Sequence, residues 1–131
     1  MKNRRTAPGA AALWILIAAA PVAAHHSRVM FDEEKTITIE GVMTNMAWAN
    51  PHSLFFVSAR PAGQPDAPVS NWSVEGPRVR ELNLMGWERD DIQAGDTVRI
   101  TGHPRKDGRQ QILLIEIRDE KGHHFVEKRE E

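Results

Sequence analysis

From Lys35 onward the chain alternates apolar and polar residues with a period of two. Ile37 and Ile39 are interleaved with Thr36, Thr38 and Glu40, the spacing of a strand that buries one face. After Gly41 the apolar positions move to even numbers, Val42, Met46 and Trp48. A phase slip at a glycine predicts one long strand, bent or bulged near Gly41. Asn50-Pro51 ends it, because proline supplies no ladder donor. His52 to Arg60 carries Leu54 and Phe56 on one face and Phe55 and Val57 on the other, which predicts an interior strand. Pro61 to Pro68, with three prolines and a glycine, reads as a loop. Val69 to Glu75 alternates again, with Trp72 and Val74 on one face.

The period then changes. Pro77 suits a first helical turn, Val79, Leu82 and Met85 form one stripe, and Gly86 suits a left-handed cap. A short helix is predicted, with Trp87 covering its end. Ala94-Gly95-Asp96 forms a turn into a fourth strand with Val98 and Ile100 inward. Lys106-Asp107-Gly108 contains an Asp-Gly hairpin signal. The fifth strand, Gln111 to Arg118, is expected to present Leu113, Ile115 and Ile117 on one face. From Asp119 the chain is highly charged and reads as a frayed tail.

Three strands, a helix and two strands is the order of a mainly β, five-stranded OB-like barrel, whose first strand is characteristically long and curved. A small β-sandwich is the alternative, and it would be less disposed to insert a helix after strand three. The expected organisation is a signal peptide over 1–24, a lead-in over 25–34, the barrel over 35–118 and a charged tail over 119–131.

The compartment follows from the N-terminus. Lys2, Arg4 and Arg5 precede an apolar run from Ala10 to Ala20, which Pro21 breaks, and small residues follow. This is the layout of a cleaved secretory signal peptide. The run is shorter than the roughly 20 apolar residues of a spanning helix, which favours cleavage over anchoring. Small residues at Val22 and Ala24 place the cut after Ala24, leaving 107 residues that begin at His25. The full chain of 131 residues has 17 basic and 18 acidic side chains. Losing three basic residues with the signal gives the mature form a net charge of −4 with neutral histidines. There is no cysteine, so neither disulfides nor thiolate chemistry are available, and a core of this length must hold the domain by itself. The expected location is periplasmic or secreted.

Ala24-His25-His26-Ser27, Trp48-Ala49-Asn50-Pro51-His52, Gly86-Trp87 and Gly95-Asp96-Thr97-Val98 together resemble a family of small exported bacterial proteins catalogued as a domain of unknown function. The resemblance covers most of the mature chain, and His-His-Ser and Asn-Pro-His are its more specific parts. It implies an exported protein with a small β-barrel body, and it carries over no catalytic residue.

The histidines are the sharpest candidate chemistry: His25, His26, His52, His103, His123 and His124. Cleavage after Ala24 gives His25 a free α-amine beside its imidazole, a chelate suited to the tetragonal nitrogen ligation of Cu(II). A further nitrogen from His26 or His52 would complete a T-shaped set. This resembles the histidine brace of copper monooxygenases in the terminal residue only. Copper is expected ahead of zinc, which wants three or four well-spaced ligands. The competing explanation is that adjacent terminal histidines bind metal weakly whether or not the cell uses them, and that His52 simply starts a strand. His103, beside Pro104, reads as structural, and His123-His124 as solvent-facing.

Other chemistries fit less well. Trp48, Trp72 and Trp87 are expected to pack in the core rather than line a groove. Nucleic-acid binding is disfavoured by the acidic net charge and the absence of tyrosine, and the cluster Arg105, Lys106 and Arg109 is explained by solvation of a turn. Ser27 and Ser53 lack a nucleophile-elbow context, and neighbours along a strand face opposite ways, so Ser53 and His52 do not make a nucleophile and base. Glu75, Glu88, Asp90 and Asp91 read as turn or surface charges. The sequence therefore supports first a non-enzymatic exported binding module of unknown ligand, with a metal site at His25, His26 and His52. A copper-dependent redox enzyme using the same residues is the second reading, and a protein-interaction domain the third.

Overall fold

A computed structural model describes residues 28–127. The expected signal peptide, His25, His26 and the last four residues of the tail lie outside the described residues. Six strands form: β1 (Ile37–Ala47), β2 (Leu54–Pro61), β3 (Ser70–Glu75), β4 (Thr97–Pro104), β5 (Gln111–Asp119) and β6 (His124–Val126), with helix α1 (Val79–Leu84) between β3 and β4. The strand order is β3-β2-β1-β4-β5-β6. Parallel pairing of Ser73–Glu75 with Gln111–Leu113 joins β3 to β5 and closes the first five strands into the expected OB-like barrel.

The long first strand is bent, but three residues later than its apolar pattern suggests. Ile39 and Met43 are buried, while Val42 is 42% exposed. The inward set therefore stays on odd numbers through Gly41, and the register slips between Met43 and Asn45. Only past this bulge do the even-numbered Met46 and Trp48 turn to the core. Gly41 serves close approach instead: a Cβ there would stand 2.1 Å from the Ser58 carbonyl oxygen. A second bulge corrects the expected face of β5. Thr101 pairs with Glu116 but Gly102 with Leu114, so Ile115 is the extra residue. Ile112, Leu114 and Ile117 enter the core, while Leu113 is buried outside the main cluster.

Helix α1 begins at Val79, two residues after Pro77, with Arg78 extended before it. Leu82 is its buried residue, and Gly86 takes φ +82° as the cap stripe requires. Asn50 reaches across from the β1–β2 loop, its Oδ1 accepting a hydrogen bond from the Val79 N–H at 3.2 Å. Trp87 does more than cover the helix end. It is fully buried, lying parallel to Phe55 at 5.1 Å and to Phe125 at 4.1 Å, with Trp48 edge-on at 6.1 Å.

Phe125 belongs to the segment expected to fray. That segment instead turns back as β6, pairing Glu116 with Val126 and Arg118 with His124. The lead-in is also ordered. Phe31, not Met30, pins it: Phe31 is 2% exposed and Met30 44%. Phe31 bridges to Arg105, Asp32 N–H donates to the Pro104 carbonyl, and Lys106 N–H donates to that of Met30. No helix among the described residues is long and apolar enough to cross a membrane.

Candidate functional site

His52 sits where the β1–β2 loop enters β2. The loop's end is fixed by Ser53, a fully buried residue whose hydroxyl donates to the Pro77 carbonyl at 2.7 Å. Ser53 N–H donates to the same carbonyl, and Gly76 N–H to that of Ser53. These bonds extend the β2–β3 ladder past its last strand residue and hold the backbone of His52 near Pro77, from where its side chain reaches that of Glu75.

Glu75 ends β3, paired with Leu54 on one side and Leu113 on the other. Although it reads as a surface or turn charge in the sequence, its side chain is only 10% exposed. One carboxylate oxygen, Oε1, stands 3.6 Å from Nδ1 of His52, whose side chain is 30% exposed. The other ring nitrogen, Nε2, is buried and has no hydrogen-bond partner among the described residues.

The basic hairpin cluster is not merely solvated. The Arg105 side chain is 9% exposed and donates to Asp107 and to Gln111. Its pKa is raised above the ordinary value, first by hydrogen bonding to Asp107 against the opposing effect of burial, with the Glu75 charge contributing least. Asp107 is correspondingly lowered to about 2, chiefly by Arg105. His52 and Glu75 thus form a partly buried pair, and the charge of Glu75 is near enough to Arg105 to add to its stabilisation.

The remaining histidines are placed differently. His103 is buried, with Nδ1 2.6 Å from the Lys35 carbonyl oxygen. His124 is exposed and contacts Glu116 at 2.8 Å. His123, expected to face solvent, is half-buried between two carboxylates: Nδ1 lies 2.7 Å from Asp119 and Nε2 3.7 Å from Asp91. Among the described residues no group of three histidine, aspartate or glutamate side chains is arranged to hold a metal ion. Of the predicted trio, only His52 is described. Glu75 was the partner that sequence reading missed, and its one signal was position: it ends an alternating strand beside Gly76-Pro77.

A family model described as a family of unknown function, DUF6152, matches residues 12–114. The chain belongs to this family. No curated protein matches it in sequence. Among solved structures, this DUF6152 protein is similar to a mitochondrial single-stranded DNA-binding protein from S. cerevisiae. The two are 9% identical with a TM-score of 0.49, over 68% of this chain and 96% of that one.

Proposed function

We propose that this DUF6152 protein is an exported, non-enzymatic binding module that takes a transition-metal ion, copper ahead of zinc. His52 is its anchored ligand, and His25 and His26 complete the site after cleavage behind Ala24. One observation carries the reading: Glu75 faces Nδ1 of His52 while Nε2 is without a partner. A carboxylate at one ring nitrogen selects the tautomer that leaves the other nitrogen's lone pair free, the usual outer support of a metal-bound histidine. The 3.6 Å separation needs to shorten only slightly to become a hydrogen bond.

The lead-in makes the assembly sterically reasonable. Arg28 is tied to Glu127 at 3.0 Å, and Glu127 N–H donates to the Ile115 carbonyl. Ile115 lies two residues beyond Leu113, the β5 partner of Glu75. His25 lies three residues before Arg28, and three extended residues span roughly 10 Å, so the terminal histidines are proposed to reach His52 from this anchored lead-in. The periplasm or the exterior is the compartment proposed, on the strength of the signal-peptide pattern.

The deciding measurement is Cu(II) titration of mature protein with an authentic His25 terminus. The expected result is one bound Cu(II) with a nitrogen-rich paramagnetic resonance signature. Binding should weaken in His52→Ala and when one extra residue precedes His25. Equal affinity in His52→Ala would remove His52 from the site, and indifference to the extra residue would remove the terminal chelate.

A further inference from the structure

The barrel's outer surface carries a second feature, independent of the histidines. Closure between β3 and β5 involves only Ser73–Glu75, so the first half of β3 has no strand beside it on that side. The β4–β5 hairpin covers this seam in part, with Ser73 N–H donating to the Gln110 carbonyl at 3.1 Å. A groove of about 500 Å³ results, lined among others by Thr44, Phe56, Asn71, Trp72, Ser73 and Gln110. The pairings of Phe56 with Asn45 and Ser73 put Phe56 and Ser73 together on the outer face.

We propose that this groove binds a neutral, polyhydroxylated ligand, a short stretch of uncharged glycan. The lining contains no charged residue. The side chains of Asn71, Ser73 and Gln110 make no hydrogen bond among the described residues, whereas the Trp72 ring packs against the core with its indole nitrogen buried. Thr44 is already committed, its hydroxyl donating to the Phe56 carbonyl at 3.0 Å. The uncommitted groups are thus two amides and a hydroxyl, set around one half-exposed aromatic ring, Phe56. Amides and hydroxyls both donate and accept, which matches sugar hydroxyls, and an aromatic ring matches the apolar C–H face of a pyranose. A nucleic acid does not match, since phosphate binding draws on lysine and arginine and the groove has neither. A purely apolar ligand would bury Asn71, Ser73 and Gln110 unpaired, which is costly.

The test is a nuclear magnetic resonance titration of the mature protein with maltotetraose and with chitotetraose. The same protein is then titrated with an oligothymidylate. Binding of either oligosaccharide should shift the backbone amides of Asn71 and Ser73 and the side-chain amides of Asn71 and Gln110. Phe56→Ala should weaken binding at least about ten-fold. Gln110→Ala, at an exposed hairpin position that does not support the core, should weaken it as well. Absence of shifts at millimolar concentrations of both oligosaccharides would overturn the proposal. So would tighter binding of the oligothymidylate to the same face, or unchanged affinity in Gln110→Ala and Phe56→Ala alike.

Discussion

Trp87 and Phe125 stack with ring centroids 4.1 Å apart and planes 3° from parallel. One residue closes the helix and the other lies in a three-residue strand near the C-terminus, so the contact locks the last segment of the chain onto the end of the barrel. Trp87 is wholly buried and Phe125 nearly so. Truncating a buried phenylalanine to alanine costs about 3–5 kcal/mol, and the slight exposure of Phe125 puts Phe125→Ala toward the lower figure. Urea denaturation should record that loss, with a red shift in tryptophan emission as Trp87 meets water. A loss under about 1 kcal/mol would mean that β6 is an ornament to a barrel that stands without it.

Gly41→Ala tests the close approach of β1 to β2. An added methyl would lie 2.1 Å from the Ser58 carbonyl oxygen and 2.6 Å from the Ala59 α-carbon. Both are backbone atoms, and β1 and β2 are in continuous register on either side, so neither can move alone. Overpacking of this kind costs about 1–3 kcal/mol or more. Thermal denaturation should show a lowered midpoint; an unchanged one would imply that the strands separate there freely.

The two bulges explain how much of this fold the sequence made legible. Period-two runs located β1 to β5, and Pro77, the Val79-Leu82-Met85 stripe and Gly86 located α1, because those signals are local. The residues at which register slips, Thr44 and Ile115, have no local signature. Each bulge is set by the strand opposite, so the sequence assigned Val42 and Ile115 inward where the barrel turns them out or leaves them unpaired. β6 was hidden for a related reason: His124-Phe125-Val126 is too short for a periodic pattern, and only the stacking of Phe125 on Trp87 and pairing with β5 make it a strand. At the candidate site, His52 was visible as a chemical type, whereas the burial of Glu75 beside it required the pairing of β2, β3 and β5.

Acidification should loosen the β5–β6 turn. The Asp119 side chain is fully buried and accepts from the Lys121 and His123 backbone N–H groups and lies 2.7 Å from the His123 ring. Burial alone would raise its pKa, yet the His123 ring and these N–H groups outweigh it and leave the carboxyl below its ordinary 3.8. Asp96, held first by Lys121 and then by the Gln93 N–H, is lowered as well. A lowered carboxylate adds stability that is complete above its unfolded pKa, about 3.9, and is lost as pH falls through the folded value. Urea midpoints should therefore fall below about pH 4. Asp119→Asn should be less stable at neutral pH and show a shallower decline. Parallel pH profiles for the two proteins would place the acid sensitivity elsewhere.

Glu75→Gln separates the proposed metal reading from a purely structural role for the His52 pair. Glutamine keeps the shape and an oxygen acceptor but removes the charge that favours a donating Nδ1. If His52 binds the metal through Nε2, the outer partner's loss should weaken Cu(II) affinity by roughly 10–100-fold, less than the loss of His52 itself. The substitution also leaves Arg105 without the nearby carboxylate that adds to its charge stabilisation, so some loss of stability is expected in either case. What distinguishes the readings is the metal affinity of the folded variant. A Glu75→Gln protein that unfolds earlier yet binds Cu(II) as tightly as the parent would assign Glu75 to the fold alone. One that keeps its urea midpoint but loses copper affinity would assign it to the site.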